Sequence, residues 1–216
     1  ARWTISMFGL SFHESQVDRG TADDLGRDLP WRHNLKVSRA RFSKSAMPEG
    51  HTIHRLARDH DRWFSGACSS VSSPQGRFAS EAERLNGRVL ESVDAFGKHL
   101  IYRFEDCESM HVHLGLYGKY RLHKNPAPDP VGAVRVRLSG NGRTFDLNGP
   151  NTCELLAADA EARLLSRLGP DPLRRDADPE FAWRRIHKSR AAIGTLLLNQ
   201  SVVAGIGFFY LAVFLH

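Results

Sequence analysis

Apolar residues change their spacing abruptly along this chain, and the order of those changes limits the folds open to it. Residues 1–46 hold no sustained period of two or 3.6 and end in a basic, serine-rich stretch with Lys36, Arg39, Arg41 and Lys44. They read as an unstructured extension ahead of a true start at Met47. A DNA-binding or targeting arm is the alternative, but Glu14, Asp18, Asp23, Asp24 and Asp28 count against a transit peptide, which is poor in acids. After Met47, Ile53, Leu56, Ala57, His60, Trp63 and Phe64 recur at helical spacing, and Gly66 stands as the C-cap. From Arg88 to Leu147 the period falls to two. Leu100, Tyr102 and Phe104 alternate with polar neighbours, Val134, Val136 and Leu138 alternate with Arg135 and Arg137, and Asn141 and Gly142 supply a hairpin turn. Beyond Leu155 strands give way to helices, with Gly169, Pro170 and Pro172 marking a connector before helices around Phe181–Lys188 and Ala191–Leu198. The layout predicts an α+β fold, a sheet-rich domain followed by a helical one.

Charge narrows the partner. A formal net charge of +6 with a pI near 9.5 leans toward a polyanion, although the same excess also keeps a cytosolic protein in solution. No apolar run reaches the roughly eighteen residues of a membrane span and no secretory signal is visible, so a cytoplasmic protein without a membrane partner is expected. Cys68, Cys107 and Cys153 are widely spaced and form no short motif, so neither a disulfide framework nor a zinc cluster is indicated.

The string MPEGHTIHR at Met47–Arg55 resembles the N-terminus of the formamidopyrimidine-DNA glycosylase and endonuclease VIII family, closest to its endonuclease VIII branch. FGKHL at Phe96–Leu100, HVHLGLYGK at His111–Lys119 and LLLNQSVVAGIG at Leu196–Gly207 agree with it in order and spacing. The last resembles the helix-two-turn-helix of that family. The resemblance implies a catalytic β-sandwich domain with flanking helices over residues 47–172. It places a partial helix-two-turn-helix DNA-binding domain over 173–216. The implied activity is that of a bifunctional DNA glycosylase and AP lyase acting in base-excision repair, as a monomer on damaged double-stranded DNA. MPEGHTIHR points to oxidised pyrimidines, because the purine-repair branch commonly opens MPELPE.

The chemistry explains why such residues are needed. Releasing a base and nicking the strand benefits from an amine that attacks the sugar C1′ and forms an imine, an electron sink for elimination. A proline nitrogen can do this only as the first residue of a chain, where it is a secondary amine. The resemblance assigns Pro48 as this nucleophile and Glu49 as the general acid on the sugar ring oxygen. Read as structure alone, the pair is a helix start, with proline at the first helical position and an acid favouring the dipole. With Met47 still attached, the nitrogen of Pro48 is a tertiary amide whose lone pair is delocalised, so the uncut chain is expected to lack lyase activity.

The remaining assignments concern DNA. The resemblance gives Lys98 a catalytic role against phosphate and His113 a phosphate contact. His111 and His113 share a strand face, but no third ligand has matching spacing, so no metal is expected there and His111 is left to packing or solvent. Leu116 and Tyr117 match the loop that fills the void of an extruded base, the alternative being ordinary core residues of a hairpin. Gly115 departs from the side-chain-bearing residue of some relatives. Arg167 matches an arginine used on DNA, whereas Arg184, Arg185 and Lys188 read as a solvated basic face.

Departures gather near the end, where the family reads close to DQSVVAGIGNIYRAE and this chain reads NQSVVAGIGFFYLAV. Phe208 stands where a phosphate-binding Asn is expected, and the apolar run Phe208–Leu215 is one that an intact domain would bury. No CxxC pair follows, so no zinc finger and no cofactor are expected within this chain. A catalytically inactive DNA-binding remnant is therefore the alternative to an active glycosylase and lyase.

Overall fold

The computed structural model describes residues 48–214, and the extension expected over residues 1–46 lies outside the described residues. Helix α1 (Gly50–Phe64) opens them, followed by β1 (Ser70–Ser72) and α2 (Ala79–Leu85). Strands β2 (Leu90–Phe96), β3 (His99–Phe104), β4 (Ser109–His113), β5 (Lys119–Lys124), β6 (Val134–Gly140), β7 (Arg143–Asn148) and β8 (Thr152–Leu156) come next. Helices α3 (Ala158–Ser166), α4 (Pro179–His187), α5 (Ile193–Leu198) and α6 (Phe208–Phe214) complete the order.

The strands form two antiparallel four-stranded sheets, ordered β1-β6-β7-β5 and β2-β3-β4-β8. This is the α+β fold that the change of period predicts, in the form that the resemblance implies, a β-sandwich with flanking helices. Leu100, Tyr102, Met110 and Val112 of one sheet and Val136, Leu138, Phe145 and Leu147 of the other share one buried cluster. Each such side chain contributes about 1.5–3 kcal/mol by leaving water. Helix α1 adds Ile53, Ala57 and Phe64 to the same core, as its spacing requires. Gly66 has φ +76° but follows the cap, which is Ser65. The glycine thus occupies the left-handed position after the helix rather than the cap itself.

Burial in β3 departs from strict alternation, since Ile101 is fully buried on the face opposite Leu100 and Tyr102. That second face is covered by α3: Glu161 accepts hydrogen bonds from Arg103 and from Ser109 Oγ at 2.6 Å. Strand β8, which the sequence pattern does not reveal, pairs with β4 and places Glu154 opposite His111. The Asn141–Gly142 turn is as expected, with φ +49° and +71° joining β6 to β7.

Helices α5 and α6 enclose two successive turns over residues 199–207. Gln200 staples them: its Nε2 donates to the carbonyls of Leu198 and Ile206, and its Oε1 accepts from the Gly205 N–H at 2.9 Å. Of the apolar run that an intact domain would bury, Phe208, Phe209 and Val213 are exposed in α6.

Candidate active site and nucleic-acid interface

Three backbone segments converge where glycine alone fits. Gly50 N donates to Gly205 O at 2.9 Å, and a Cβ on Gly50 would meet that same oxygen at 2.9 Å. Gly97, at φ +61° in the β2–β3 turn, would press a Cβ to 3.0 Å from Gly205 N. The start of α1, the turn that carries Lys98 and the second turn of the helix-two-turn-helix are thereby locked together.

Pro48 and Glu49 sit at this junction. The helix starts at Gly50, so Pro48 is not at the first helical position and Glu49 is the N-cap residue. Its side chain does not cap α1. Instead the buried carboxylate accepts from Phe209 N at 2.8 Å and Tyr210 N at 3.4 Å, at the start of α6. Gly207 makes room for it, since a Cβ there would stand 2.4 Å from Glu49 Oε1. Lys98 is half-buried within the field of Glu49: burial lowers its pKa and the glutamate charge opposes that shift.

The turn before Lys98 is set from below by Asp171. Asp171 Oδ2 accepts from Gly97 N at 2.6 Å and from His54 Nε2 at 2.7 Å, while Oδ1 accepts from Leu173 N at 3.0 Å. Burial alone would raise this carboxyl's pKa, but the bonds from His54, Leu173 and Gly97 outweigh it and hold the group below its ordinary value. Sequence reasoning used this stretch only as a connector and missed Asp171 and His54. The one available signal was an acid between two prolines, Pro170 and Pro172, within the segment that resembles the family.

His113, at the end of β4, is half-buried, and burial followed by the charges of His111 and Lys98 lowers its pKa. Arg167, exposed at the C-cap of α3, contributes to the electrostatic surroundings of His99 together with Lys98 and His113. His111 is neither simply packed nor exposed. It is buried and bonded to both Glu154 and His99.

Leu116 and Tyr117 lie at the tip of the β4–β5 turn, 50% and 81% exposed, which excludes the alternative that they are core residues. Gly115 is required there: φ is +63° and a Cβ would meet Asn151 Cβ at 2.7 Å. The described site therefore joins Glu49, Lys98, His113 and Arg167 through neighbouring elements. The two apolar side chains stand free at the next turn. The basic face on α4 is only partly solvated, as Arg185 donates to Ser201 O at 2.7 Å and lies over the Phe181 ring.

Comparison with known proteins decides the family. Residues 47–153 match the formamidopyrimidine-DNA glycosylase N-terminal domain, and residues 168–216 match the formamidopyrimidine-DNA glycosylase H2TH domain. The chain belongs to the formamidopyrimidine-DNA glycosylase family. Endonuclease 8 1 of Mycobacterium tuberculosis is 53% identical over 168 residues, covering 76% of this chain and 63% of that protein. The probable endonuclease 8 2 of Streptomyces coelicolor is 32% identical over 169 residues, 76% of this chain and 60% of that protein. The chain thus spans somewhat under two thirds of the length of these relatives. Among solved structures, a complex of Lactococcus lactis Fpg (MutM) with N7-benzyl-Fapy-dG-containing DNA has a TM-score of 0.63 at 24% identity. It covers 76% of this chain and 64% of that one, and confirms the fold.

Cys68, Cys107 and Cys153 are free, and among the described residues no group of three His, Cys, Asp or Glu side chains is arranged to hold a metal ion. Among the described residues, no helix is long and apolar enough to cross a membrane.

Proposed function

We propose that this chain carries the catalytic and DNA-gripping part of a base-excision DNA glycosylase with AP lyase activity, directed at oxidised pyrimidines in duplex DNA. The supporting observation is the convergence of Pro48, buried Glu49 and Lys98 at one glycine-lined junction. Once Pro48 is the first residue, its lone pair attacks C1′ of the damaged nucleotide and the bond from C1′ to the base breaks. The departing base takes up a proton. Glu49 protonates the ring oxygen as the sugar opens, and the nitrogen–carbon double bond that results acidifies the C2′ hydrogen. Loss of that proton expels the 3′ phosphate and nicks the strand. Lys98 and His113 hold the flanking phosphates, Arg167 adds to the grip, and Leu116 and Tyr117 occupy the space left by the extruded base.

A second reading, DNA binding without turnover, is favoured by Phe208, 64% exposed where the family motif carries a phosphate-binding Asn, and by the amide at Pro48. The two readings separate on abasic-site duplex. A chain beginning at Pro48 should cut the strand while the 216-residue chain does not. If neither cuts, binding without turnover is the correct description. Duplexes holding an oxidised pyrimidine or an oxidised purine test the lesion class, and equal or reversed release rates would contradict it.

A further inference from the structure

Three histidines and a glutamate share one face of the β2-β3-β4-β8 sheet, and the function above uses only His113. Cross-strand register sets His99 opposite His113 and His111 opposite Glu154. His111 Nδ1 lies 3.0 Å from Glu154 Oε1, and His111 Nε2 lies 2.9 Å from His99 Nδ1. The His99 ring is also 5.0 Å from that of His113.

Donor and acceptor counting fixes the tautomers. An ionised glutamate only accepts, so His111 Nδ1 carries the hydrogen, and a neutral His111 then offers a bare Nε2. His99 Nδ1 must supply the hydrogen between the two rings. His99 Nε2 is consequently left as a lone pair. Both rings are held neutral in the free protein: burial lowers His111 against the opposing pull of Glu154. Burial, followed by His111, His113, Arg167 and Lys98, brings His99 down to about 3.

The groups facing His99 are His111 and His113 from β4, Arg167 from the end of α3 and Lys98 from its own turn, with Glu154 of β8 behind His111. All those in its direct field are cationic or become so on protonation. A groove of about 420 Å³ lined by Glu154, Arg163 and Arg167 opens beside them. We propose that Glu154 and His111 position His99 as a proton-accepting member of the phosphate site formed with Lys98, His113 and Arg167, so that in acidic solution a docking DNA phosphate is accompanied by uptake of a proton from solvent at His99 Nε2. The inference rests on the reading of this surface as DNA-binding. The phosphate supplies the anion that the cluster lacks, and a protonated Nε2 donates to it in a charge-assisted bond. The new positive charge is shared along the chain toward Glu154, whose carboxylate stabilises it.

Histidine-selective ¹⁵N NMR of the 216-residue chain tests this directly. At pH 7 His99 and His111 should both show the Nδ1–H tautomer. A duplex carrying a tetrahydrofuran abasic-site analogue should raise the His99 protonation midpoint by about 1 to 3 pH units, from about 3 to between about 4 and 6. An Nε2–H tautomer at His99, or an unmoved midpoint in a formed complex, overturns the proposal. Glu154 is half-exposed, so Glu154→Leu can fold and should lose both the His111 tautomer and most of the midpoint shift. A Glu154→Leu chain with an undiminished shift would overturn the role of the chain of bonds. A duplex that does not bind at all removes the DNA-binding reading and the phosphate role with it, while the tautomers still decide the hydrogen-bonded chain.

Discussion

Asp171 and Gly97 lie 74 positions apart in the chain, yet the carboxylate of one accepts the backbone N–H of the other at 2.6 Å. Because Lys98 follows Gly97 directly, the acid within the connector after α3 sets where the lysine stands. Asp171→Ala should leave three donors without a buried acceptor and cost about 3 kcal/mol, read from urea unfolding. Strand cleavage by a chain beginning at Pro48 should fall further than the folded fraction does. A variant of near-parental stability would show that the junction is held elsewhere.

His60 gives the sandwich an acid weakness. It is buried, shares a hydrogen bond of 2.7 Å between its Nδ1 and Tyr102 Oη, and burial brings its pKa from 6.5 to about 3. The unfolded chain therefore binds a proton that the folded one refuses. This contribution to stability is fully present above pH 6.5 and is lost as pH falls toward 3. His60→Gln should reduce the slope of unfolding free energy against pH by about 1.4 kcal/mol per unit between pH 6 and 4. An unchanged slope would place the acid sensitivity in other groups.

Tyr117 is 81% exposed and makes no contribution to the buried core. Tyr117→Ala should leave stability within about 0.5 kcal/mol of the parent. Base release from damaged duplex should drop about tenfold or more, as the extruded position loses a ring worth about 1–3 kcal/mol. Equal rates for parent and variant would remove this turn from the reaction.

Phe208 offers a gain-of-function test. Restoring the polar residue with Phe208→Asn should strengthen binding to abasic-analogue duplex about tenfold at low salt, and more weakly as salt rises. The position is exposed, so stability should barely change. Affinity unaltered at every salt concentration would mean that no phosphate passes this point.

Where period and turn chemistry dominate, the sequence was legible. Ile53, Ala57 and Phe64 define α1, and Asn141–Gly142 closes its hairpin. Strand β8 escaped because Thr152–Leu156 is only partly buried along its length and shows no clean alternation. The three-residue β1 is too short to carry a period. In the site, Pro48, Glu49 and Lys98 stood out through their motifs, but their supports did not. Asp171, His54 and Glu154 act across distances of tens of residues, which no local pattern encodes. Leu116 and Tyr117 could not be told from core by type alone, and their exposure resolves it.

The account depends on a free amine at Pro48 and on what that amine does to an abasic sugar. Borohydride reduction of a chain beginning at Pro48, mixed with abasic-site duplex, should yield a covalent protein–DNA adduct that peptide mapping places on Pro48. The uncut 216-residue chain should yield none. An adduct on the uncut chain, or no adduct on the trimmed one, would contradict the account.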